Sequence, residues 1–207
     1  MTQHHAAPAG ELNRHQLAEL GTLATPVFHA HLRRESLDLA YLLGAWAACT
    51  EIGGKPDNRI SFATQDERQV ALLEPCLARV SGRATTMQSV DIHGTHYHRI
   101  VLNSEDVAQH FQRVTAFNSR VPWEHLGTQA ERIHYISGLF DHGGWVFTGS
   151  SAGIGINKKD GEYLLKDVAR VFDLVGMHPI ISYNEVVSLR LKEQLEWHAF
   201  AAKIPLA

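Results

Sequence analysis

The sequence predicts an α+β fold built from two related halves, each running helix, strand, strand, helix, strand, strand, helix. Three observations carry that reading: a repeat at a fixed offset, strand-like alternation after a helix rich in small residues, and matched helix start and stop signals in both copies. Tyr41 recurs as Tyr135, Gly44 as Gly138, Ile60 as Ile154, Asp66 as Asp160 and Gly82 as Gly176, always 94 positions apart and without a gap. Phe62 against Ile156, Leu77 against Val171 and Val80 against Leu174 keep the apolar character of each place.

In the first copy a helix dense in Ala and Leu is expected over 37–49. Residues 59–64 alternate, with Ile60 and Phe62 on one side and Arg59, Ser61 and Ala63 on the other, as in a half-buried strand. Asp66 is placed to cap the next helix, with Gln69 completing a capping box, and Val70, Leu73, Leu77 and Val80 form its apolar stripe up to Gly82. Strands over 83–91 and 96–102 follow, turning at Gly94, and a helix over 105–117 closes the copy. The second copy repeats the order. It has a helix over 129–141, strands near 145–148 and 153–157, and a helix from the Asp160 cap to Gly176. Strands over 177–183 and 186–191 then lead to a terminal helix from Lys192. The organisation expected is an N-terminal tail and helix (1–36), a first half (37–118), a polar linker (119–128) and a second half (129–207). Within the N-terminal part, 12–31 offers one clear helix, broken at Pro26. Neither strand group is stable alone, so the halves are expected to pack into one pseudo-twofold body.

Composition limits the function. Of 207 residues, 44% are hydrophobic and 20% charged, which excludes disorder and low-complexity repeats. No window reaches the ~20 apolar residues of a membrane span, and residues 1–10 lack the basic and apolar regions of a secretory signal. Two cysteines cannot make a disulfide framework, so a cytoplasmic setting is expected. Nineteen Lys and Arg against 22 Asp and Glu give a net charge of −3, which speaks against a strongly basic nucleic-acid binder. Fourteen histidines would make the charge positive in mild acid.

Tyr-Leu-Leu-Gly-Ala-Trp-Ala-Ala-Cys-Thr-Glu-Ile at 41–52 and Tyr-Ile-Ser-Gly-Leu-Phe-Asp-His-Gly-Gly-Trp-Val at 135–146 resemble two LAGLIDADG motifs. With the element order, the span 37–200 is similar to a single-chain LAGLIDADG homing endonuclease. The resemblance implies paired motif helices at the centre and strands forming a saddle that straddles duplex DNA. Gly44, Ala45, Ala47 and Ala48 on one helix, and Ser137 and Gly138 on the other, are small enough for the backbones to meet.

The departures bear on chemistry. In the family the eighth motif position of each helix is an acid, and the two bind divalent metal at the scissile phosphates. Here those positions are Cys49 and Gly143. Gly143 has no side chain, and Cys49 is a poor ligand for a hard cation. Asp141 falls at the sixth position, about 200° round the helix from the eighth. Glu51 is the remaining stand-in on the first helix. The nuclease centre therefore reads as lost, no cofactor is implied, and magnesium would matter only if cleavage survives through Glu51.

Other constellations are weaker. Asp91, His93, His96 and His98 cluster on a hairpin as candidate ligands for a borderline metal, against the simpler reading of a polar hairpin tip, and no metal site is assigned. Cys49 lacks a neighbouring base and reads as packing rather than as a nucleophile. The glycine-rich stretch 149–155 lacks the Lys-Ser/Thr end of a phosphate loop and reads as a hairpin turn.

What remains is the strand surface away from the helices. By alternation it carries Arg59, Ser61, Arg83, Thr85, Tyr97, Arg99, Ser188 and Arg190, with Lys158 and Lys159 at a turn suited to phosphates. The leading expectation is a monomeric, homing-endonuclease-like protein that binds double-stranded DNA or structured RNA without cutting it. The alternatives are an interaction module that contacts a protein or a small ligand through the same fold, and, ranked last, an active endonuclease.

Overall fold

A computed structural model describes residues 26–48, 58–92, 94–116, 119–147, 151–156, 161–183 and 187–191. The chain divides into a unit of residues 1–34 and a unit of residues 35–207. The helix α1, Pro26–Ala48, runs through the boundary. Proline therefore does not break a helix here: it stands at the first helical position, where its missing N–H is not needed and its fixed φ fits. Residues before it lie outside the described part.

The larger unit continues with β1 (Arg59–Thr64), α2 (Glu67–Ser81), β2 (Thr86–Ile92), β3 (Thr95–Asn103) and α3 (Glu105–Thr115). A single 3-10 turn, Trp123–His125, leads to α4 (Gln129–Gly143), β4 (Gly144–Phe147), β5 (Ser151–Ile156), α5 (Gly161–Leu174), β6 (Ile180–Tyr183) and β7 (Val187–Leu191). The strands make two antiparallel sheets, ordered β1-β3-β2 and β4-β5-β7-β6. The predicted Asp160 cap and the helix from Lys192 lie outside the described residues. The stretch 149–155 is not simply a turn, because β5 begins at Ser151 and pairs Gly153 with Trp145 and Arg190.

Local signals explain most ends. Gly82 and Gly176 follow α2 and α5 with φ of 64° and 83°, a conformation only glycine adopts without strain. Asp66 caps α2, its carboxylate accepting from Arg68 N at 2.9 Å. Gln69 does not close the expected capping box: Thr64 Oγ1 accepts from Asp66 N at 3.1 Å instead, and Gln69 bridges the Thr64 hydroxyl and the Asp141 carbonyl of α4. The true capping box is at α4, where Thr128 Oγ1 accepts from Glu131 N at 3.2 Å and Glu131 Oε2 accepts from Thr128 N at 2.8 Å. Glu131 also takes a hydrogen bond from Ser36 on α1.

The core lies between α1, α4 and the sheets. Ile60, Phe62, Ile100 and Leu102 fill the inner face of the first sheet, and Trp46 of α1 packs edge-on to Phe62 and Phe111 at 6.2 and 5.9 Å. A buried polar cluster ties α1 to α2. Arg79 binds both Asp38 oxygens, and Cys76 Sγ lies 3.5 Å from Asp38 Oδ1. Burial first, then the Asp38 charge, pushes the Cys76 thiol up to about 12, against the opposing effect of Arg79, so this thiol is packing rather than a nucleophile.

Candidate functional site

The centre is the contact between α1 and α4. A Cβ built on Gly44 would lie 2.0 Å from the Tyr135 carbonyl oxygen, and one on Gly138 would lie 2.0 Å from that of Tyr41. The contact is thus reciprocal between positions that the repeat had paired, and no side chain larger than hydrogen fits at either.

At its end the pair is not symmetric. Tyr41 Oη donates to Asp141 Oδ2 at 2.9 Å. Crowding by the surrounding protein raises the pKa of that carboxyl, partly offset by the tyrosine hydrogen bond, even though Asp141 as a residue is exposed. The residue matching Asp141 on α1 is Ala47, and the Tyr135 hydroxyl is fully buried with no hydrogen-bond partner among the described residues. This asymmetry predicts opposite outcomes for one chemical change. Tyr41→Phe should cost about 1 kcal/mol, whereas Tyr135→Phe should be neutral or slightly stabilising. Urea denaturation of the two variants checks this, and an equal loss in both would contradict the assignment.

Gly143 is the last residue of α4, and Gly144 leaves directly into β4, so the second motif ends on bare backbone. Its neighbour His142 packs against Phe62 at 6.3 Å, and its Nε2 is buried without a hydrogen-bond partner among the described residues. Cys49 and Glu51 lie outside the described residues. Among the described residues, no group of three or more His, Cys, Asp or Glu could hold a metal ion. On the hairpin, His96 Nδ1 lies 3.0 Å from Asp91 Oδ1, with the His98 ring 5.4 Å from that of His96, and His93 is outside the described part.

The outer face of the first sheet follows from register. Ser61 pairs with Val101, Ala63 with Arg99, Gln88 with Arg99, and Val90 with Tyr97. Arg59, Ser61, Tyr97 and Arg99 therefore share a face opposite to Ile60 and Phe62, and Arg99 Nη2 donates to Ser61 Oγ at 3.3 Å across the strands. Arg83 and Thr85 do not join them. The strand β2 begins only at Thr86, and its phase places Thr86, Gln88 and Val90 on the Arg99 side. Arg83 pairs with Asp106 of α3 at 3.1 Å, and Thr85 donates to Glu74 of α2 at 3.0 Å, so both are engaged by helices. Alternation could not fix that phase, because Thr86, Met87, Gln88 and Ser89 are all exposed. Gln88 is the residue the sequence reading missed, visible only as the cross-strand partner of Arg99. In the second sheet, Ser188 and Arg190 occupy register positions opposite Gly155 and Gly153. Lys158 and Lys159 lie outside the described residues.

No family model and no curated protein matches the sequence. Solved structures do match the fold. Mesophilic variants of the homing endonuclease I-DmoI superpose with a TM-score of 0.62 at 19% identity, covering 84% of this chain and 98% of theirs. I-DmoI in complex with DNA and Mn gives 0.59 at 18% identity, with 84% and 98% covered. Full-length WhiA from Thermatoga maritima gives 0.60 at 16% identity, and the matched part spans 84% of this chain but only 56% of that one. No helix among the described residues is long and apolar enough to cross a membrane. With its mixed helices and strands and its two glycine-lined motif helices in contact, the chain has the LAGLIDADG homing-endonuclease fold.

Proposed function

We propose that this protein is a monomeric binder of double-stranded DNA that uses the outer faces of its two sheets, built as pseudo-symmetric halves, and does not cleave. The observation that carries the reading is the shared face of Arg59, Ser61, Tyr97 and Arg99 on a sheet held by the motif-helix pair. Guanidinium and hydroxyl groups suit major-groove edges, where one good bidentate pair is worth about 1–3 kcal/mol. Gln88 adds an amide beside Arg99. Arg190 and Ser188 would extend the face on the second sheet, and Lys158 and Lys159 would meet phosphates. Arg83 and Thr85 are left out because helices already engage them. Cleavage is absent in this reading because the second motif ends at Gly143, which offers metal no carboxylate, and because Cys49 takes the matching place on the first.

Net charge −3 requires the affinity to come from this local patch. The same number favours a second reading, in which the face contacts a protein. Binding of a labelled duplex and of a structured RNA at low salt, by anisotropy, separates them. The duplex should bind with an affinity that falls steeply with salt, and an Arg59/Arg99/Arg190 triple alanine variant should lose most of it. Failure of the parent to bind at micromolar protein, or equal binding by the variant, would transfer the face to a protein partner. With magnesium or manganese no site-specific double-strand break should form. A break that disappears on Glu51→Gln would place a working metal ligand at Glu51.

A further inference from the structure

A second group of cations collects around the turn Trp123–His125. Arg113, in the last turn of α3, is exposed, and its Nη2 lies 3.1 Å from His110 Nδ1. The His110 ring meets that of His125 edge-on at 5.1 Å. In the same turn, Trp123 carries Arg170 of α5 over its ring, 5.4 Å from guanidinium carbon to centroid. Arg120 donates to the Val114 carbonyl at 3.0 Å and to Glu124 at 3.3 Å.

These guanidiniums are not equally compensated. Glu124 balances Arg120, but neither Arg113 nor Arg170 has an ion-pair partner among the described residues. Asp173, three residues beyond Arg170, lies 3.1 Å from His178 Nδ1 instead. Burial, then the Arg113 charge, lowers the His110 pKa against the pull of Glu124, so the imidazole stays neutral and accepts from Arg113. A guanidinium resting on an indole keeps its plane and leaves N–H donors free for phosphate oxygens. Flat rings interleaved with cations match a strand in which bases and phosphates alternate, whereas an acidic peptide would use the charges alone.

We propose that the surface around Trp123–His125 binds the phosphate backbone of a single-stranded nucleic acid, separately from the sheet face. Arg113 and Arg170 contact phosphates, and the Arg170 guanidinium, held flat over Trp123, presents its outer face to a base.

Anisotropy with a labelled short oligothymidylate at low salt tests this on the full chain. The oligonucleotide should bind, and Arg113→Ala/Arg170→Ala should weaken it about tenfold or more. The same variant should lower the slope of log K against log salt by about 1.4, as two lost phosphate contacts in a single strand require. Arg113→Glu, at an exposed helix end, should weaken binding as well and keeps the test decisive if loss of Arg170 loosens Trp123. Arg59→Ala/Arg99→Ala should weaken binding of the duplex more than binding of the oligonucleotide, and Arg113→Ala/Arg170→Ala should do the reverse, which separates this surface from the sheet face. The proposal is overturned if the parent does not bind, if both Arg113 variants bind like the parent, or if polyglutamate competes as well as unlabelled oligothymidylate. The last result would make the surface a site for an acidic protein.

Discussion

Gly44→Ala and Gly138→Ala are each expected to cost about 3 kcal/mol or more, the upper end of what overpacking usually costs. The added methyl would sit 2.0 Å from a carbonyl oxygen of the facing helix in both cases. That oxygen belongs to backbone within a helix, so it cannot turn aside as a long side chain would. Relief requires α1 and α4 to move apart, which opens the packing of Leu42, Ala45, Ile136 and Leu139 between helices and sheets. Urea denaturation gives the measurement: the midpoint should fall in both variants with little change in the slope. Unchanged midpoints would mean that the two helices do not meet at these residues.

Acid is expected to destabilise the protein through His142. Burial of the imidazole pushes its pKa down to about 4 from the ordinary 6.5. The unfolded chain therefore takes up a proton near pH 6.5 while the folded protein resists until about pH 4. Between those limits the unfolded state holds more protons, so stability falls as pH falls; below about 4 both forms are protonated and the loss stops. The window corresponds to a loss on the order of 3 kcal/mol. His134 and His110 are shifted down by burial too and act in the same direction. Asp141 opposes them, because its raised pKa makes the folded state hold a proton that the unfolded chain has released. His142→Phe should keep the contact with Phe62 and flatten the pH profile between 6.5 and about 4. Chemical denaturation at a series of pH values reads this directly. A profile as steep in the variant as in the parent would assign the acid sensitivity to other groups.

Much of this was legible in the sequence because it rests on local chemistry. The Asp66 cap, the glycine stops at Gly82 and Gly176, and the alternation of Ile60 and Phe62 all act within a few residues of chain. The small residues at Gly44 and Gly138 pointed to a close contact, since little else explains glycine inside an apolar helix. That Cys49 and Gly143 carry no carboxylate is likewise a matter of residue identity at two positions.

Tertiary structure decided what depends on partners far along the chain. The phase of β2 is one example: four consecutive exposed residues carry no alternation, and only pairing with β3 selects Gln88 over Arg83 and Thr85 for the outer face. Gln69 is another, drawn from its own helix cap to a carbonyl of α4. The partnering of Tyr41 with Asp141, the isolation of the Tyr135 hydroxyl, and the cations gathered at Trp123–His125 also arise only when separate elements meet. A hydrogen bond or a desolvated ring is defined by what lies opposite it, and residue order does not specify that. The sequence by itself determined most element types and the two helices that had to touch; the folded chain alone determined that Pro26 opens a helix, where β2 begins, which polar groups face each other and which face away.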